Sequence, residues 1–120
     1  MLQKGVVLRQ SVEFLSPESL VKSLEDIHQS SSKDEIFKLV NQHDEDGNNF
    51  LHFLIKNLRE ENHNKVFEMI KLLLTNGCNP HHLNNASDTP LTLLGVLNIP
   101  FKTRFFKLFI EQENQSCKIS

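Results

Sequence analysis

Cys78, His81 and His82 form a C-x-x-H-H cluster, which places a thiol and two imidazoles within one short stretch of a 120-residue chain. Thiolate sulfur and imidazole nitrogen are ligands that zinc selects, and His43 or His63 would supply a further nitrogen. A structural zinc site pairs two separated ligand couples, and here the second couple is missing. Cys78 is therefore read as a packed thiol, with no metal and no cofactor assigned. A small zinc-binding protein using Cys78, His81 and His82 is the alternative of another class.

Asp44, Glu45 and Asp46 open like a calcium loop, but Gly47 comes at the fourth place and no acid closes a twelve-residue loop. A solvated turn, whose geometry Asp and Gly both suit, accounts for them. The four glycines, at 5, 47, 77 and 95, are too far apart for a phosphate-binding loop, and no Ser or Cys nucleophile sits in a recognisable motif. His52 is read as structural. No catalytic residue is assigned, and the chain is not expected to be an enzyme.

Charge and cysteine usage exclude further classes. Lys and Arg total 13 against 15 Asp and Glu, a formal net charge of -2, and no basic cluster has the size a nucleic-acid binder needs. Cys78 and Cys117 are too few for the disulfide framework of a small secreted domain, which points to a reduced intracellular setting, cytoplasmic or nuclear. Residues 6–8 are the longest apolar run near the N-terminus, short of a secretory h-region, and nothing approaches a membrane span. A chain of this length with 38% hydrophobic residues suits one domain.

The elements that would position these residues are helices. Over residues 65–94 the apolar positions Val66, Phe67, Met69, Ile70, Leu72, Leu73 and Leu74 recur at three- and four-residue spacing, Gly77 stops the run, and Thr89-Pro90 starts another. Helices are thus expected over 66–75 and 90–97, joined by an irregular projecting segment. Ser16-Pro17-Glu18 opens an earlier helix with Leu20, Val21, Leu24 and Ile27 on one face, and a short helix is expected from Lys33 to Val40. These two are read as a first, degenerate hairpin. Residues 1–15 form an N-terminal cap segment that fits either a short strand or a helical turn, and 113–120 are expected to be a flexible tail.

Gly47 matches Ser87 and Leu51 matches Leu91, an internal period of 40 residues. The order Leu72-Leu73-Leu74, Gly77-Cys78-Asn79, Thr89-Pro90-Leu91 resembles the junction between two ankyrin repeats. Thr92 stands where that family has histidine, whereas His52 keeps it. The 40-residue period exceeds the ankyrin unit of about 33 residues. The surplus lies at 57–64, as an extended first helix or a lengthened inter-helix loop. The resemblance implies an all-α, ankyrin-like stack of about three helical hairpins over residues 16–112, binding a protein partner through projecting fingers and a concave helix face. The family's variable contact positions fall at Glu45, Asp46, Asn48, Lys56 and Asn57, and at Leu83, Asn85, Ala86, Asp88, Val96 and Leu97, all expected to be largely exposed. Within the family, Glu45 to Ile55 (EDGNNFLHFLI) is similar to the opening repeat of IκB-type inhibitors, which implies a Rel/NF-κB-type partner as an alternative.

The last helix, about residues 100–112, is apolar on more than one side. Phe105, Phe106, Leu108 and Phe109 cannot all face the single hairpin arm at 89–97. Phe105, Phe106 and Phe109 are therefore expected to form an interface, covered by a second copy in a homodimer, by a partner, or by the N-terminal segment.

Overall fold

The computed structural model describes the backbone of residues 3–119 and the side chains of residues 3–111. Its helices are α1 (Lys4–Glu13), α2 (Pro17–Ser30), α3 (Lys33–Val40), α4 (Phe50–Lys56), α5 (His63–Thr75), α6 (Pro90–Val96) and α7 (Lys102–Ile119), with a 3-10 turn at Glu60–Asn62. No strand occurs among the described residues, so the fold is all-α and the N-terminal segment takes the helical of its two options.

Local side-chain chemistry sets the helix starts. Ser16 Oγ accepts from the Ser19 N–H, and Pro17, with no N–H to leave unpaired, opens α2. Ser32 caps α3 in the same way, with Asp34 and Glu35 in its first turn. Thr89 caps α6 ahead of Pro90. Helix α5 closes at Gly77, which takes a φ of 96° while its N–H reaches Leu74 O and the Cys78 N–H reaches Leu73 O. The 57–64 surplus resolves as a lengthened connection: α4 stops at Lys56, and a 3-10 turn leads into α5.

One expectation is corrected by the packing. Helix α2 does not have α3 as its principal partner; it lies against α1, and the buried hydroxyls of Ser11 and Ser23 meet across that pair at 3.0 Å. The turn between α1 and α2 carries Leu15 at a φ of 53°, a left-handed conformation that costs a non-glycine residue roughly 1–2 kcal/mol. Helix α3 rests on both α1 and α2. The hairpins in contact are α1 with α2, α4 with α5, and α6 with α7. Across hairpins, α1 touches α4 and α4 touches α6, while α2 touches α5 and α5 touches α7. The helices therefore lie in two layers. Leu51, Leu54, Met69, Ile70 and Leu73 are fully buried between them, each contributing about 1.5–3 kcal/mol by leaving water.

A second correction concerns α7, which packs against α5 as well as α6. Phe105 and Phe109 are buried, and Phe105 meets the Phe67 ring of α5 edge-on at 5.5 Å. Phe101 stacks on His63 at 4.3 Å, and the Arg104 guanidinium lies 4.0 Å above the Phe67 ring while donating to Asn64 Oδ1. The face that seemed to need an outside cover is covered by α5. Phe106 is half-buried and Ile110 is exposed. Helix α7 runs on to Ile119, past the end expected near residue 112 and through most of the span expected to be a tail; the side chains of that span lie outside the described residues.

Candidate functional site

Two tight turns project from the helices, at residues 44–48 and 84–88, and they repeat each other bond for bond. In the first, the Asp44 N–H donates to Asn48 O and the Gly47 N–H to Asp44 O, while Asp44 Oδ1 accepts from the N–H groups of Asp46 and Asn48. In the second, the Asn84 N–H donates to Asp88 O and the Ser87 N–H to Asn84 O, while Asn84 Oδ1 accepts from Ala86 and Asp88. Each turn needs one left-handed residue. Gly47 supplies it at a φ of 78°, and Ser87 takes the same role at 65°, a strained position for a residue with a Cβ.

The turns dock on one another. The Asn85 N–H donates to Asp46 O at 2.8 Å, Asn84 Nδ2 to Asn48 Oδ1 at 2.8 Å, and Asn85 Nδ2 to Glu45 O at 2.9 Å. Close contact leaves no room beneath the first turn, where a Cβ on Gly47 would come within 2.9 Å of the Asn85 backbone nitrogen. Behind the turns, Asn49 caps α4 and also donates to Asn79 O. His52 is fully buried between them. Its Nδ1 lies 3.1 Å from the Asn49 backbone nitrogen and 2.8 Å from Asn49 Oδ1, and its Nε2 lies 2.8 Å from Asp88 O. Burial holds the His52 pKa below the usual imidazole range; the Asp88 carbonyl opposes that shift, and His82 and Lys56 add to it. His82 reaches across the seam, stacked on His43 at 5.3 Å and edge-on to His52 at 6.0 Å.

Family models, curated proteins and solved structures all gave no match to the chain.

The expected contact positions divide into three groups. Glu45, Asp46, Lys56, Leu83, Asn85, Ala86 and Val96 are exposed, with Leu83 and Val96 keeping 58% and 77% of their surface in solvent. Asn57, Asp88 and Leu97 are half-buried. Asn48 is buried, which corrects its placement among the exposed positions: its side-chain oxygen is the acceptor that anchors Asn84. Sequence reading missed Asn84 and Asn49. A signal was present in the register, because Asn84 matches Asp44 at the 40-residue period and both side chains suit turns that bond their own backbone.

Cys78 is buried, and burial pushes its thiol up to about 12, against weaker hydrogen bonding from the Leu51 and Asn79 backbones. It is therefore a protonated packing group at neutral pH. Among the described residues no three His, Cys, Asp or Glu side chains converge to hold a metal ion. No described helix is long and apolar enough to cross a membrane.

Proposed function

We propose that the chain is a non-enzymatic protein-interaction module built as an ankyrin-like stack, and that the two docked turns, with the adjoining faces of α4 and α6, form its binding surface. One observation carries this reading: the turns repeat the same hydrogen bonds at a 40-residue interval and bond to each other, each followed by a capped helix start at Asn49 or Thr89. A hydrogen-bonded row of this kind presents Glu45, Asp46, Asn85 and Ala86 in a set order on the surface, which lowers the backbone ordering cost on binding. The two-layer helix contacts and the buried His52 support the same architecture. Its setting is intracellular, where the buried Cys78 thiol stays reduced.

The test is affinity capture with the unmodified chain and with an E45K/D46K variant. The variant is expected to lose the captured partner while its stability stays within about 0.5 kcal/mol. Retained capture by the variant would move the site elsewhere.

A narrower reading makes the partner a Rel/NF-κB-type dimer. It is favoured by the EDGNNFLHFLI stretch, in which Phe50 opens α4 as a buried residue. Titration of a purified dimer of that class into the chain tests it, and the absence of a saturable signal would remove it. Zinc binding through Cys78, His81 and His82 is disfavoured by the enclosed, protonated thiol. Elemental analysis giving one zinc per chain would reinstate it.

A further inference from the structure

Between α1, α4 and the first turn lies a cleft that the docking of the turns leaves open. It holds a cavity of about 80 Å3, to which Val12, Phe50 and Phe53 give an apolar lining. A shallower trough adjoins it, sharing Arg9, Glu13, His43 and Asp44 with the cleft and adding Glu45 and Asp46. We propose that this cleft is the anchor point of the interaction surface, taking one aliphatic side chain from a basic, extended segment of a partner protein whose main-chain carbonyl is held by Asn48. The proposal rests on the interaction reading above and gives the partner its chemistry.

The first argument is a donor without an acceptor. Asn84 Oδ1 takes the N–H groups of Ala86 and Asp88, so the atom that Asn84 turns to Asn48 is Nδ2, and Asn48 must meet it with Oδ1. The Asn48 amide is thereby fixed, with its own Nδ2 on the side away from that bond. Asn48 keeps only 8% of its surface, yet no described residue accepts from its Nδ2. Among the described residues no enclosed side-chain nitrogen or oxygen lacks a partner, so this Nδ2 is reached by solvent, and the cleft that Asn48 lines is the opening beside it. A peptide carbonyl supplies the acceptor.

Size and charge narrow the occupant. A dry cavity of about 150 Å3 admits benzene. One of about 80 Å3 is too small for a phenyl ring and suits a branched aliphatic chain. Around the mouth, the carboxylates of Glu13, Asp44, Glu45 and Asp46 face one arginine, Arg9, whose Nε already lies 3.7 Å from Glu13. Glu45 and Asp46 are exposed, so a Lys or Arg flanking the aliphatic anchor meets unpaired negative charge there, and an acidic segment is repelled.

The experiment is an NMR titration of the full, isotope-labelled chain with the acetylated, amidated peptide Lys-Lys-Leu-Lys-Lys at up to millimolar concentration and low salt. The side-chain amide of Asn48 and the ring of Phe53 are expected to shift with saturation, while Phe105 between α7 and α5 stays in place. Replacing the leucine by serine or by phenylalanine is expected to weaken binding by about tenfold, and glutamates in place of the lysines are expected to abolish it. Glu13→Lys, a change on the exposed rim, is expected to weaken it by about threefold or more. Binding that ignores the leucine would reduce the effect to surface charge, and the absence of a shift at Asn48 and Phe53 would leave the cleft without a ligand. Either result overturns the proposal. Neither touches capture by the E45K/D46K chain, which tests the interaction reading itself, so the two can fail separately.

Discussion

Asn84 donates from its side-chain nitrogen to the side-chain oxygen of Asn48 over 2.8 Å, and both amides are buried. The oxygen of Asn84 meanwhile organises its own turn by accepting from Ala86 and Asp88. One side chain therefore serves the local turn and the long-range contact at once. Asn84→Ala should cost about 1–3 kcal/mol, because it strands two backbone donors and the Asn48 acceptor, while Asn48→Ala should cost about 1 kcal/mol. Urea unfolding of both single variants and the double one gives the coupling directly. A coupling near zero would mean that the amide pair contributes nothing to the docking of the turns.

Cys78 should be inert in the folded chain. With its thiol pushed up to about 12 and enclosed, the thiolate fraction at neutral pH is negligible. In a C117S background, labelling by a thiol reagent at pH 8 should be slow and should accelerate in step with urea-induced opening. Rapid labelling of native protein would show that the site is open.

Arg104 clasps α7 to α5 by lying over the Phe67 ring and bonding Asn64. Arg104→Ala should destabilise by about 1–2 kcal/mol, and Arg104→Lys should recover only part of that, since lysine lacks the planar face that stacks. Phe105→Ala, which empties a fully buried aromatic site, should cost about 3–5 kcal/mol. Thermal melts rank the three variants; a larger loss at Arg104 than at Phe105 would contradict the burial.

The Glu35 carboxyl is held below the usual range by hydrogen bonding from Ser31 first and then by the Lys4 ammonium, 3.0 Å away. A depressed carboxylate contributes above its unfolded pKa of about 4.5, and that contribution is lost as pH falls through the lower folded value. Lys4→Met should raise the Glu35 pKa in a carboxyl NMR titration, with the resonance of Glu13 as a reference on the same helix as Lys4. An unmoved Glu35 would show that Ser31 alone sets it.

Much of the helical plan is legible in the sequence because caps are local. Ser16-Pro17, Thr89-Pro90 and Gly77 act through groups within a few residues of themselves, and the starts of α2 and α6 and the stop of α5 follow from them. Partner choice is not local. Ile36 and Val40 make α3 resemble the second arm of a hairpin, yet Leu8 and Val12 of α1 belong to the same core as α2, and periodicity does not rank such rivals. Asn48 looks like a surface residue until Asn84, 36 positions away, is placed beside it. The apolar excess of α7 is visible in its composition, but the second face that absorbs it belongs to α5, which no spacing within α7 could name. At the candidate site the 40-residue register locates both turns and exposes most of their tips; the His43, His52 and His82 chain appears only when the turns are stacked.

The stacked turns also have a polarity. Asn84 and Asn85 reach back with amide N–H groups, and the positions matching them in the first turn are Asp44 and Glu45, whose side chains carry no amide N–H. A copy of the chain laid behind itself in the same register would bring Asp44 against the Asp88 carboxylate and Glu45 against the Asn85 carbonyl, acceptor facing acceptor. Two of the three bonds that dock the turns, those made by side-chain amides, thus have no counterpart on the outer side of the first turn, while the main-chain bond would keep its donor.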